Sequence, residues 1–329
     1  MNNTTNTMKA ACYEKYGAPD MLEIRSIPIP ACEQDQVLIK IHYSTVNRTD
    51  CGFLRGQPFI VRFFSGLTKP RSTTLGCEFA GEVVEVGQTV HEFRVGDRVC
   101  GFKDDDFGFG GHAEYTTMNV NGLLGKIPDH LSFAQAAPAL EGAHYALGGI
   151  RSTKIVAGQH VLVNGGTGGI GSAAIQIIHS LGADITAVCG TTHIDTVRQL
   201  GATKILDYMS EDFTKLDTKF DVVFDAVGKS TFGQCKKILK PNGIYMSTEL
   251  GPYAQNPFLA LYTAKFSKKK VHFPIPKNAK ADADYLCDLL QSNQYLPLID
   301  RTYSLDEIVD AFNYVESGEK IGNVLLKIG

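Results

Sequence analysis

The stretch Val161-Leu162-Val163-Asn164-Gly165-Gly166-Thr167-Gly168-Gly169-Ile170-Gly171 decides the fold. Its opening is short, apolar and partly β-branched, the pattern of a buried strand. Gly166, Gly168 and Gly171 then match G-x-G-x-x-G, and a helical pattern follows over 169–181. A lone match to that motif is weak; a strand before it and a helix after it supply the context it needs. Glycine lets the chain turn tightly and lets backbone N–H groups close on a pyrophosphate, while the helix N-terminus adds partial positive charge. Gly171 lets the helix lie close to the strand. Gly166, Thr167, Gly168, Gly169, Ile170 and Gly171 are therefore the expected cradle of a dinucleotide.

Working outward, strand and helix patterns alternate. Strands are expected over 160–164, 185–189, 204–207, 220–226 and 243–247, with helices over 169–181, 194–200 and 231–239. Such alternation with short apolar strands implies an α/β unit, a doubly wound parallel sheet covered on both faces. Before it, 132–147 reads as one Ala-rich helix with Ser132 as N-cap. The first 120 or so residues are β-rich and broken by glycine turns, the pattern of a small irregular β-barrel. After Val271-His272-Phe273-Pro274 come helices over 281–292 and 304–317, then a strand over 324–328. Ser304 reads as an N-cap without a full capping box. The expected domains are 1–126, completed by 280–329, and 127–279.

Composition bounds the function. Hydrophobic residues make up 43% and charged residues 20%, as in ordinary globular proteins, and the net charge is -3. A chain that mainly grips nucleic acid is expected to be basic, so no nucleic-acid partner is expected. No apolar run is long enough to span a bilayer, so no membrane partner is expected either. The polar start MNNTTNTMKA has no apolar or Arg-rich leader pattern, and a cytoplasmic protein is expected. The eight cysteines include no C-x-x-C and read as small buried hydrophobes. Lys265 with Lys268–Lys270, and Asp104 with Asp105 and Asp106, read as solvated loops.

The second strand ends at Val188-Cys189-Gly190-Thr191-Thr192-His193 without the acid that usually holds a ribose 2′-OH. Asp195 comes later and reads as a complement to a helix dipole. An acid would repel a 2′-phosphate, so its absence favours NADP(H), with Gly190 and Thr191 beside it. Lys204 and Tyr208 are the candidates to reach the phosphate.

The order of barrel, dinucleotide unit and return segment, together with several motifs, resembles the medium-chain dehydrogenase/reductase superfamily. The motifs are Lys9-Ala10-Ala11 with Tyr16-Gly17, Gly76-Cys77-Glu78-Phe79-Ala80-Gly81, Val95-Gly96-Asp97-Arg98-Val99, and the helix ends Leu181-Gly182-Ala183 and Leu200-Gly201-Ala202. Asp225-Ala226-Val227-Gly228 and the final Gly322-Asn323-Val324-Leu325-Leu326 complete the set. The resemblance implies a GroES-like β-barrel catalytic domain joined to a Rossmann domain, with Val227 near the cofactor. Zinc enzymes of this superfamily carry Cys where Asn47 stands and His where Cys77 stands, and Leu140 and Glu141 occupy the region of the third ligand. The Asn47-Arg48-Thr49-Asp50 segment instead resembles the zinc-free, quinone oxidoreductase-like branch.

That branch implies hydride transfer from NADPH to a quinone or an α,β-unsaturated carbonyl, by a homodimer. No metal is expected. Asn47 is the expected hydrogen-bond donor to the acceptor oxygen. His144 is the expected proton donor, with Glu141 one turn earlier to orient it. Asp50 is expected to pair with Arg48 or Arg55, or to orient its loop. Phe53 and the aromatic segment 56–64, with Tyr253, Tyr262 and Phe266, are candidates for an apolar substrate wall. Two other readings stand: a dehydrogenase holding metal through Cys77, Glu141 and His144, and a non-catalytic NADPH-binding module.

Overall fold

In the computed structural model, which describes residues 6–103, 109–275 and 279–329, the chain divides into two units. One comprises Met1–Glu141, Ala279–Asp288 and Ile299–Gly329; the other comprises Gly142–Asn278 and Leu289–Leu298. The first unit thus runs on to Glu141 rather than stopping at Lys126. The expectation for Asp104, Asp105 and Asp106 lies outside the described residues.

Among the described residues the first unit is built on a seven-stranded sheet. Its organiser is the strand Gln36–Val46. One edge pairs with Glu78–Val86; the other is shared by Tyr115–Asn119 and, further along, Asn323–Lys327. Register shifts at Leu38/Ile39 and Ile41/Tyr43 mark irregularities that bend a strand and let it serve several partners. Val37, Ile39 and Ile41 alternate onto one face and pack with Phe79, Val83 and Val99. A second core joins Leu54 of helix Arg48–Arg55 to Phe312 and Val315 of helix Ile308–Ser317. Ser304 is more than an N-cap: its side chain accepts from the Glu307 N–H while the Glu307 carboxylate accepts from the Ser304 N–H at 2.8 Å, a full capping box.

The second unit holds a six-stranded parallel sheet. Its order is Lys204–Asp207, Asp184–Cys189, His160–Asn164, Phe220–Asp225, Leu239–Ser247, Lys270–His272. The first strand in sequence therefore lies in the middle and the chain winds outward both ways. Ligands of such sheets bind beyond the carboxyl ends of the strands where the winding reverses, here beyond Asn164 and Asp225.

Two expected helices change. The single helix over 132–147 is two, Phe133–Ala136 and Glu141–Thr153. Pro138 lies between them; it lacks an N–H and disfavours helix at the residue before it. The helix over 231–239 shrinks to Phe232–Cys235, because Leu239 already begins a strand.

Candidate functional site

The second unit presents the glycine loop as a tight cradle. Gly165 turns with φ of 86°, and a Cβ there would lie 2.4 Å from Val227 Cγ1. A Cβ on Gly171 would lie 2.0 Å from the Gly165 carbonyl oxygen, so the helix closes on the loop only with glycine there. Gly168 differs. It is the N-cap of helix Gly169–Ser180, and a Cβ there would meet nothing nearer than 3.6 Å. The N–H groups of Gly169 and Ile170, in the helix's first turn, point out of this end. Thr167, Gly168, Gly169 and Ile170 are half-buried, while Gly166 packs inward near Ile175 and Ala187. The donors and partial charge of this end suit a pyrophosphate.

Asp225 fixes the neighbouring loop. One oxygen accepts from Asn164 Nδ2 at 3.0 Å and from the N–H groups of Val227 and Gly228; the other accepts from the Ser230 N–H and hydroxyl and from Tyr245. Val227 is thereby held against the glycine turn. At the second strand's end, Gly190 lies beside Tyr208, which is 61% exposed. Sequence reasoning passed over Asp207: it ends the next strand, and its carboxylate accepts from the Thr191 hydroxyl and the Met209 N–H. Lys204 is misplaced as a phosphate ligand. It starts that strand, three residues or roughly 10 Å from the ligand-binding edge.

The first unit holds a buried polar cluster. Asn47 caps helix Arg48–Arg55, and its backbone N–H donates to Asp50 Oδ2 at 2.8 Å. Asp50 Oδ1 accepts from the Gly76 N–H at 3.2 Å, so Asp50 ties two loops together. Arg55 pairs with Glu316 and not with Asp50. Burial pushes Asp50 up to about 6 against the backbone N–H groups of Asn47, Gly76 and Cys77. Glu78, fully buried, accepts from the N–H groups of Leu140 and Glu141 on Oε1, both at 2.7 Å. These two N–H groups follow Pro138, so the helix break and the carboxylate satisfy each other.

Glu141 completes the cluster. Its Oε2 accepts from Asn47 Nδ2 at 2.5 Å and lies 3.6 Å from Cys77 Sγ; its Oε1 accepts from the Thr49 hydroxyl at 2.6 Å. Asn47 Nδ2 also meets Thr45 Oγ1 at 3.0 Å and Glu78 Oε2 at 3.5 Å. The amide protons are thus directed within the cluster, where the sequence had Asn47 donate to an acceptor. Glu141 likewise gives its oxygens to Asn47 and Thr49, where the sequence had it orient His144. Burial and the Asp50 charge push Glu141 up to about 7, against the Thr49 and Asn47 bonds and the charge of Lys320. Burial, then the neighbouring carboxylates, push the Cys77 thiol well up, so it stays protonated. Nearby, burial pushes His112 down to about 4; its neutral ring donates from Nε2 to the Thr45 carbonyl at 2.8 Å.

His144 lies in the second unit, buried on helix Glu141–Thr153, its ring 6.0 Å from that of Tyr145. Phe53 is core, edge-on to Phe109, and not a substrate wall. Phe59, Ile60, Phe63 and Phe64 are exposed, as are Tyr253, Tyr262 and Phe266 in the second unit. Among the described residues no three of His, Cys, Asp and Glu form a metal-holding group.

Residues 33–129 match the alcohol dehydrogenase GroES-like domain, and residues 200–326 match a zinc-binding dehydrogenase model. The chain is 32% identical to a 2-methylene-furan-3-one reductase of Solanum lycopersicum, over 97% of this chain and 79% of that one. It is 31% identical to an NADPH-dependent alkenal/one oxidoreductase, named chloroplastic, of Arabidopsis thaliana, with the same two coverages, 97% and 79%. Among solved structures it resembles a quinone oxidoreductase from Coxiella burnetii, with a TM-score of 0.87 and 26% identity over 98% of this chain and 100% of that one.

Proposed function

The chain belongs to the quinone oxidoreductase-like branch of the medium-chain dehydrogenase/reductase superfamily, and from that premise we propose that it is an NADPH-dependent, zinc-free reductase of quinones and α,β-unsaturated carbonyls. The observation that carries the reading is the open cradle at Gly168, walled by a loop that tolerates only glycine at Gly165 and Gly171. A reduced nicotinamide bound there supplies a hydride. The chain's own part is to hold the dinucleotide through the N–H groups of the loop and the first turn at 167 and 169–171, with Gly168 giving the close approach, its own N–H turned back to the Gly165 carbonyl, and Val227 packed on the loop. The names of the reductase relatives support an enone or quinone as acceptor.

Preference for NADP(H) rests on the end of the second strand. Gly190 and Thr191 stand where an acid would repel the extra phosphate, and the Tyr208 hydroxyl is at hand. Asp207 is nearby, but its carboxylate is occupied by Thr191 and Met209.

The donor set at Asn47, Cys77 and Glu141 does not fit zinc. A metal needs lone pairs, and here Asn47 turns an amide N–H toward Glu141 Oε2. This disfavours the metal-dependent dehydrogenase. His144, buried one turn beyond Glu141 on the same helix, is the proposed proton donor.

A homodimer is supported by the edge strand Lys270–His272, paired on one side with Leu239–Ser247. Pairing with its own copy about a two-fold axis would continue the sheet. Helix Gln255–Phe266 beside it exposes Phe258, Leu261, Tyr262 and Phe266. No helix of the described residues is long and apolar enough to cross a membrane. All eight cysteines are free thiols, which fits a reducing compartment such as the cytoplasm. NADPH and NADH titrations, followed by oxidation in the presence of an enone, test the reading.

A further inference from the structure

We propose that Cys100 and Cys287 are a redox modification site, a thiol pair that reacts with hydroperoxides and closes into a reversible disulfide. The inference stands on the first unit alone and does not depend on the reductase reading.

The strand Arg98–Phe102 pairs antiparallel with Leu123–Lys126, and the register sets Cys100 directly opposite Gly125. Side chains of such a pair lie next to each other on one face of the sheet. Gly125 has no side chain to put there, and the place is filled from outside the sheet. A Cβ built on Gly125 would lie 2.3 Å from the Sγ of Cys287, on helix Ala279–Gln291. The Cys287 sulfur thus takes the cross-strand position beside the Cys100 side chain, and the two thiols share a hydrogen bond. Both residues belong to the same unit. A buried cysteine standing alone is a small hydrophobe; two that meet are a dithiol. Glycine at 125 also leaves the Cys287 sulfur room to swing from contact into a covalent bond.

The pair is asymmetric. Cys100 is wholly buried, Cys287 only partly. A negative charge shared by two thiols settles on the more exposed sulfur, with the other donating to it. The bond from Cys100 pulls Cys287 below the ordinary thiol value, against burial and the charges of Asp284 and Asp288, and with help from Lys280. The same bond, and then burial, pushes Cys100 well up, so it stays a thiol. Cys287 is therefore the attacking sulfur and Cys100 the resolving one.

The step balances. The Cys287 thiolate attacks the terminal oxygen of a hydroperoxide. The O–O bond breaks, an alkoxide leaves (hydroxide, from hydrogen peroxide), and Cys287 becomes a sulfenic acid. The Cys100 sulfur then attacks the Cys287 sulfur. The S–O bond breaks, and the hydroxyl leaves with the Cys100 proton as water. Two thiols have lost two electrons and the peroxide has gained them. A dithiol reductant returns the pair to thiols by exchange, so the site is compatible with free cysteines in a reducing compartment.

The test treats the purified full chain with a small excess of hydrogen peroxide, blocks free thiols in denaturant and maps the peptides by mass spectrometry. The wild type should yield a Cys100–Cys287 linked peptide from protein of single-chain size, lighter by two hydrogens and lost on reduction. In Cys100→Ala, a dimedone probe should trap Cys287 as the sulfenic acid. In Cys287→Ser, Cys100 should remain a thiol. Gly125→Ala keeps both thiols but puts a methyl where the sulfur sits, and should lose most of the link. The proposal is overturned if wild-type Cys100 and Cys287 stay thiols, oxidise without linking, or link to other cysteines or between chains. It is overturned as well if Cys100 oxidises in Cys287→Ser as fast as in the wild type. The wild-type map decides alone where a variant fails to fold.

Discussion

The amide nitrogen of Asn47 lies 2.5 Å from Oε2 of Glu141, across 94 residues of sequence. That bond joins the cap of one helix to the first residue of another, and both ends are buried. It decides the electrostatics of the cluster, because the Asn47 amide is the donor that faces Glu78 and Glu141 alike.

Asn47→Ala should therefore cost on the order of 1–3 kcal/mol, the penalty of leaving buried acceptors without a donor. Asn47→Asp should cost more, since it adds an acid where Asp50, Glu78 and Glu141 already crowd. Urea unfolding at neutral pH measures both. Equal stabilities for the two variants would contradict the donor assignment.

Stability should depend on pH through Glu141. Its folded value of about 7 lies above the ordinary 4.5, so the folded chain binds an extra proton between those values. The linked stability is present in full below 4.5, is lost as pH rises to about 7, and is flat above. Relative to Glu141→Gln, which keeps an amide in place of the neutral acid, the wild type should lose on the order of 3 kcal/mol across that window. Unfolding curves of both proteins at about pH 5 and about pH 8 give the difference.

Two glycines separate folding from binding. Gly171→Ala forces a Cβ to within 2.0 Å of the Gly165 carbonyl oxygen and should lower both stability and NADPH affinity. Gly168→Ala meets only that same oxygen, at 3.6 Å, and its φ of -73° suits alanine, so the fold should hold. Its NADPH affinity should still fall by about tenfold or more, as a methyl displaces a phosphate from the backbone N–H groups. Thermal melting with cofactor titration reads the two effects apart.

Much of this was legible in the chain. The glycine loop announced the dinucleotide cradle because its chemistry is local: a turn, a helix end and close approach. The parallel sheet followed from strand and helix periods. The buried cluster was not legible, because it depends on Glu78 turning to N–H groups 62 and 63 residues away. One signal was there. Pro138 forbids a continuous helix, and the N–H groups freed beyond it need an acceptor. Asp207 was not legible because it ends the third strand, and only the parallel register sets that residue opposite Cys189 at the end of the second.

Asp207 gives a prediction of its own. Asp207→Asn removes a negative charge beside Thr191, where a 2′-phosphate is placed by the proposed reading. NADPH should bind about threefold more tightly at low salt and NADH nearly as before, with the difference shrinking as salt is added. Equal shifts for both cofactors would place the phosphate elsewhere.

The proposed dimer is tested at the exposed helix face. Leu261→Arg should turn the protein into a monomer in sedimentation analysis at micromolar concentration, since Leu261 is 76% exposed beside the edge strand. An unchanged mass would remove this edge as the interface.

The most direct test follows the absorbance of reduced nicotinamide in purified wild-type protein, first with NADPH and NADH alone, then with an α,β-unsaturated ketone and a quinone. The account predicts tighter binding of NADPH than of NADH, and oxidation of NADPH on adding either acceptor. Tight NADPH binding without oxidation by any acceptor would contradict it and leave a binding module in its place.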